Sequence, residues 1–165
     1  MKNLLLFGNL NKIITSNLSL RFISSILMET KMKILEKCKD GGINSTVDAY
    51  VLIEIKSLFS IIILKFNKGS RNNFHSHAFN AITWFLKGRV TEYHLDGGEK
   101  VFKGGLLSLK YTPKTCFHKV YAHEDTYALT IRGSWKKTWS EFNPIKKIFI
   151  KLTNGRKVVS VEKQK

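Results

Sequence analysis

The sequence predicts an all-β domain, and two observations carry that expectation. Short runs rich in β-branched and aromatic residues recur through the chain, and turn-forming residues separate them at close spacing, the pattern of a barrel or sandwich. At 165 residues the chain is long enough to bury a real core in one domain. Its 43% hydrophobic and 24% charged content is that of a globular protein rather than a disordered one.

The elements follow in order. Residues 1 to 28 contain no Asp or Glu and three basic residues, and acid-poor, hydroxyl-containing segments of this kind resemble organelle presequences. The alternative is an upstream start codon, with Met28 or Met32 the true start. No apolar run here approaches the length of a membrane span, so residues 1–30 are expected to form a loosely packed extension without catalytic content. Lys31 to Lys39 is expected to form a short helix ended by Gly41-Gly42. Strands are then expected at Tyr50 to Ile55 and Ser60 to Phe66, with Ser57-Leu58-Phe59 turning between them. Asn67 to Asn73 reads as a polar loop. His75 to Leu86 is a nearly continuous apolar and aromatic run, Lys87-Gly88 a two-residue hairpin turn, and Arg89 to Leu95 the return strand before Asp96-Gly97-Gly98. Shorter strands are expected at Lys100 to Phe102, Leu106 to Tyr111, His118 to Ala122 and Tyr127 to Arg132. Beyond Pro144, Ile148 to Leu152 and Arg156 to Val161 flank Thr153-Asn154-Gly155 as a C-terminal hairpin. The organisation is thus an extension (1–30), a barrel (31–142) and a basic hairpin and tail (143–165).

Charge and cysteine content narrow the function classes. The formal net charge of +16 attracts phosphates non-specifically. Its lysines are spread along the chain, densest in the last third, so solvated lysines and incidental nucleic-acid contact both account for it. The strands carry no RNA- or DNA-binding signature. The two cysteines, Cys38 and Cys116, lie far apart with no CxxC spacing. That argues against a disulfide framework or a cysteine zinc site, and makes reduced cytoplasm the simplest location.

The most informative residues are His75 and His77. Residues two apart on a strand point to one face, so the pair presents two imidazoles to one point, as a transition metal requires. His118, five residues past Pro113, supplies a third. Continuing the alternation, Phe79, Ala81, Thr83 and Phe85 point inward with the histidines. A hairpin at Lys87-Gly88 would pair Thr83 with Glu92 and Ala81 with His94, and opposed residues share a face. Glu92 and His94 are therefore expected inside, as a fourth ligand, an anchor behind a ligand or a substrate contact. A one-residue slip would turn both outward. Cys116 shares the face of His118 if its strand begins early, and Arg71 lies in the loop before the histidines, placed to meet an anionic substrate. Trp84, Trp135, Trp139 and Phe142 read as core or closure packing.

These residues resemble the cupin superfamily. Gly69, His75-Ser76-His77, Ala81 and Gly88 are similar to the first cupin motif, with Ala81 where a glutamate is usual. Pro113 and His118 are similar to the second motif, whose glycines are displaced or replaced here. More closely, His75-Ser76-His77-Ala78-Phe79, Leu86-Lys87-Gly88 and Thr130-Ile131-Arg132-Gly133-Ser134-Trp135 with Trp139 resemble small cupin-like proteins of phages and bacteria. The likeness covers about residues 48 to 142. It implies a double-stranded β-helix (jelly-roll barrel) and a mononuclear divalent metal on His75, His77 and His118, Fe(II) first and Zn, Mn or Ni as alternatives. It also implies a dioxygenase-type reaction on a small molecule; from their places on strand and loop, Glu92 or His94 would orient substrate or move protons, and Arg71, Thr83 and Cys116 would contact it. A homodimer is a further implication. A non-enzymatic small-molecule-binding cupin, or a basic accessory protein meeting nucleic acid, would share most of these features.

Overall fold

The computed structural model describes residues 32–42, 44–69 and 73–164; the expectations for residues 1–30 and for Arg71 fall outside them. Thirteen strands are described. They are β1 (Lys33–Lys39), β2 (Val47–Ile55), β3 (Phe59–Phe66), β4 (Phe74–His75), β5 (Ala81–Lys87), β6 (Arg89–His94) and β7 (Glu99–Lys103), then β8 (Leu109–Thr112), β9 (His118–Ala122), β10 (Thr126–Arg132), β11 (Thr138–Asn143), β12 (Ile148–Thr153) and β13 (Val158–Lys163). They form two antiparallel sheets, ordered β1-β2-β3-β10-β5-β8 and β13-β12-β11-β4-β9-β6-β7. The described residues are all-β, as the strand and turn pattern predicts. No helix among the described residues is long and apolar enough to cross a membrane.

The interior follows from strict alternation on the central strands. On β5, Ala81, Thr83 and Phe85 are buried while Ile82 and Leu86 are exposed; on β10, Thr126, Ala128, Thr130 and Arg132 are buried while Ile131 is exposed. Ala128 lies between Leu64 of β3 and Phe85 of β5. Around it one apolar cluster gathers Phe85, Val90, Phe102 and Ala122, a second gathers Ala49, Val51, Ile62 and Leu64, and Phe66 packs against both. The apolar core fills one part of the space between the sheets. Beside it lies a cavity of about 310 Å³, lined by the second cluster and Phe85 together with polar and charged side chains.

Four local expectations are corrected. Lys33–Lys39 is a strand, paired antiparallel to β2 from Lys33↔Glu54 to Lys39↔Asp48. So short a segment has little helical stability of its own, whereas the open edge of β2 offers it a full ladder. The run from His75 to Leu86 is interrupted: β4 ends at His75, β5 begins at Ala81, and the residues between cross from one sheet to the other. Lys87-Gly88 is a corner between sheets, not a hairpin turn. β5 pairs with β10 and β8, whereas β6 pairs with β7 and β9. Finally, β11 was not expected; it pairs with both β4 and β12, joining the C-terminal hairpin to the second sheet. The turn of that hairpin reaches the cavity mouth, where Arg156 donates to Gly41 O (2.7 Å) and to Glu141 Oε1 (3.0 Å).

Candidate metal centre

His75 is held on both sides. It pairs with Glu141 of β11 and, directly across the ladder, with His118 of β9. His77 lies just beyond, where Ser76 anchors the departing chain by hydrogen bonds to Ser140, its N–H donating to Ser140 O at 2.8 Å. The three rings converge with centroids 4.9 to 5.0 Å apart. His77 Nε2 and His118 Nε2 approach to 2.7 Å, and a ligand atom from each of the three histidines lies within 4.8 Å of the others. Three imidazoles converging this closely could hold a single transition metal.

The ring of His118 is fixed from behind. Its Nδ1–H donates to Glu92 Oε1, and Lys110 Nζ, 3.3 Å from the same nitrogen, donates to that carboxylate oxygen too. With the proton held on Nδ1, Nε2 presents its lone pair to the other histidines, the arrangement by which a carboxylate orients a metal-binding imidazole. Burial pushes the His118 pKa down despite its bond to Glu92, favouring the neutral form that binds metals. Burial alone would raise Glu92, but the His118 hydrogen bond and the Lys110 charge outweigh it and hold the carboxyl at about 2. Burial in turn lowers Lys110 against the pull of Glu92. Behind this group His94 Nε2 lies 3.5 Å from Glu92 Oε2, and His94 Nδ1 lies 3.5 Å from Cys116 Sγ. Burial raises the Cys116 thiol above its ordinary value. Glu92, Cys116 and His118 form a second group close enough to share an ion.

No protein-family model matches the sequence, and no curated protein matches it. Solved structures do. A sugar phosphate isomerase from a cupin superfamily, from Silicibacter pomeroyi, aligns over 84% of this chain and 90% of its own at 12% identity, with a TM-score of 0.50. The fold is cupin-like. An RmlC-like cupin from Shewanella frigidimarina (16% identity, 62% of this chain, 86% of that one, TM-score 0.49) is also similar. So is the ectoine synthase from P. lautus (13%, 60% and 72%, TM-score 0.48). At these identities the likeness is one of fold.

Within the cupin-like barrel the predicted residues fall into two groups. His75, His77, His118 and Thr83 line the cavity, and Thr83 Oγ1 lies 3.1 Å from Thr130 Oγ1. Glu92, His94 and Cys116 stand behind His118, away from the described cavity lining. Glu92 is buried, but neither it nor the partly exposed His94 reaches the cavity beside Ala81, because the ladder responsible is β6 on β9, where His94 opposes His118. Ala81 lines the cavity beside Phe79 and Trp135, and the carboxylate nearest the histidines comes from Glu92. Sequence reasoning missed Lys110, Thr112 and Arg132, all of which line the cavity. Lys110 and Thr112 alternate with Leu109 and Tyr111, and that pattern points the wrong way, because here the apolar pair is exposed and the polar pair faces in.

Proposed function

We propose that this protein is a metal-dependent cupin enzyme, of the mononuclear Fe(II) dioxygenase type, acting on a small molecule inside the barrel. The observation that carries the reading is the convergence of His75, His77 and His118 on the wall of a cavity large enough for a small substrate. These three side chains would hold the ion; bound there, a divalent iron supplies Lewis acidity and open positions for dioxygen and a chelating substrate. Glu92 is a positioning residue, keeping the His118 proton on Nδ1 and its lone pair toward the cavity. Lys110 neutralises that carboxylate and keeps it from competing as a proton acceptor. Thr83, Thr112 and Thr130 supply hydroxyls that can orient bound substrate, and Phe79, Trp135 and Trp139 form the apolar wall that excludes water.

A second reading, a small-molecule-binding cupin without chemistry, is favoured by one feature. Ala81 stands where the first cupin motif usually carries a carboxylate. Elemental analysis of the purified full chain, beside His75→Ala, His77→Ala and His118→Ala, tests the metal reading. Stoichiometric metal in the unaltered protein and its loss from each variant is the expected result; equal, negligible metal in all four ends it. Oxygen uptake with candidate thiols, amino acids and oxo acids separates the enzyme from the binding module.

A further inference from the structure

The cavity continues past the three histidines to a buried cation. Phe79 packs against His77 on one side (centroids 5.3 Å) and Trp135 on the other (4.9 Å), and the Arg132 guanidinium lies 4.6 Å over the Phe79 ring. Arg132 is therefore one aromatic ring away from the histidines. It ends β10, between Ser60 of β3 and Ala81 of β5, and the alternation that buries Ala128 and Thr130 sends it inward. A buried guanidinium requires compensation, which Asp40 provides with contacts of 3.2 Å to Nη1 and 2.8 Å to Nη2. That uses two of five N–H donors. Asp40 itself is only partly buried, its side chain 31% exposed, so part of the neutralising charge sits in water.

Arg132 also stands out among the cations of the lining. Of the seven lysines and arginines among the described lining residues, six have a carboxylate within 4.0 Å, and Arg132, its side chain 5% exposed, is the deepest of those six. Lys56 stands over the Trp135 ring at 4.8 Å, beside the same aromatic wall. A cation buried this deeply, with its counter-charge partly in water, favours an anion over a neutral molecule of the same shape. A guanidinium already held flat against a ring offers its free donors in a fixed plane.

We propose that Arg132 selects a small organic anion, a carboxylate or a phosphate ester. The charged end sits on the guanidinium, and the apolar body lies along Phe79 and Trp135 toward the histidines. This names the substrate class of the site proposed above and rests on that reading. Arg132 acts in binding and specificity; the reacting end of the ligand is the one beside the histidines.

The test uses three probes of one shape, benzoate, phenyl phosphate and neutral benzamide, titrated calorimetrically into the metal-loaded full chain. At least one anion should bind about ten- to a hundredfold tighter than benzamide, as expected for hydrogen bonds to a charged group. Which anion is preferred separates a carboxylate from a phosphate substrate. Arg132→Gln should reduce the anion to the affinity of benzamide. Asp40→Asn should instead tighten the anion several-fold, because it removes the competing carboxylate. Equal binding of all three probes, or an anion affinity unmoved by either substitution, overturns the proposal. Should Arg132→Gln not fold, Asp40→Asn decides alone, and unchanged or weakened anion binding counts against it. Metal content measured on the same samples keeps the two readings apart. Anion preference without metal in the unaltered protein sinks the metal centre and leaves the anion subsite; metal without anion preference does the reverse.

Discussion

Glu92 and His118 face each other diagonally across β6 and β9, and the carboxylate of the first accepts the Nδ1–H of the second. That one bond sets which imidazole nitrogen looks into the cavity. It also links the histidines to a chain of polar groups behind them, with Lys110 on the same carboxylate oxygen and His94 and Cys116 beyond. The centre is thus two layers deep, with Glu92, His94 and Cys116 behind the histidines and Lys110 reaching both the cavity and the rear carboxylate.

Glu92→Gln should therefore lower metal affinity by about ten- to a hundredfold while leaving all three histidines in place. It should also destabilise the fold by about 3 kcal/mol, because Lys110 is left buried without its counter-charge. Combining it with Lys110→Met should restore most of that stability, since removing both charges abolishes the desolvation penalty, but should not restore the metal affinity. Competitive chelator titrations and denaturant melts of the two single variants and the double variant measure both. If the double variant recovers metal affinity along with stability, the bond from Glu92 to His118 does not orient the ligand.

Acidification should weaken the fold in two stages. His118 is buried with its pKa below the ordinary 6.5, so the unfolded chain takes up that proton first, and stability falls as pH drops below the imidazole range. Glu92 is held at about 2 against an ordinary 4.5, so its contribution is complete above the ordinary carboxylate value and is lost between there and about 2. The second stage is worth about 3 kcal/mol. Both shifts act in one direction, and neither gives a gain on lowering the pH from neutrality. Melting temperatures of the metal-free protein across that range should show both falls, and Glu92→Gln should abolish the lower one alone. A melting temperature that rises below neutral pH would contradict both assignments.

The sequence made the histidines legible and hid what surrounds them. His75 and His77 announce themselves by spacing, and His118 by its distance from Pro113. The cation-bearing wall does not, because strands that turn polar side chains toward a cavity invert the usual apolar-in rule. On β10 the buried set is Thr126, Ala128, Thr130 and Arg132, while Ile131 faces out; on β8 Leu109 and Tyr111 are exposed and Thr112 is buried. Read for hydrophobicity, both strands point their functional residues at solvent. The spacing predicts a pairing of β6 with β5 that is absent, and Glu92 is buried instead by the ladder of β6 on β9. The strand boundaries followed from turn residues, whereas sheet membership depends on contacts distant in sequence that no local pattern encodes.

The corner at Gly88 gives that last point a direct test. Gly88 has φ of +91° and Gly97, in the tight turn between β6 and β7, has φ of +93°. An added methyl group is strained at both by about 1 kcal/mol. At Gly97 it would meet nothing within 4 Å. At Gly88 it would lie 2.8 Å from Thr126 Cα and 2.9 Å from Asp125 O, because the chain there turns against the start of β10 on its way from one sheet to the other. Backbone cannot move aside as a flexible side chain does, so overpacking adds a further cost. Gly88→Ala should thus destabilise the protein by about 3 kcal/mol and Gly97→Ala by about 1 kcal/mol, measured as shifts of the denaturant midpoint at constant slope. In a solvent-exposed two-residue hairpin the methyl group at 88 would point into water, and the two substitutions would cost the same. Equal midpoint shifts would therefore put β5 and β6 back into one sheet, and with them the pairing of Thr83 with Glu92.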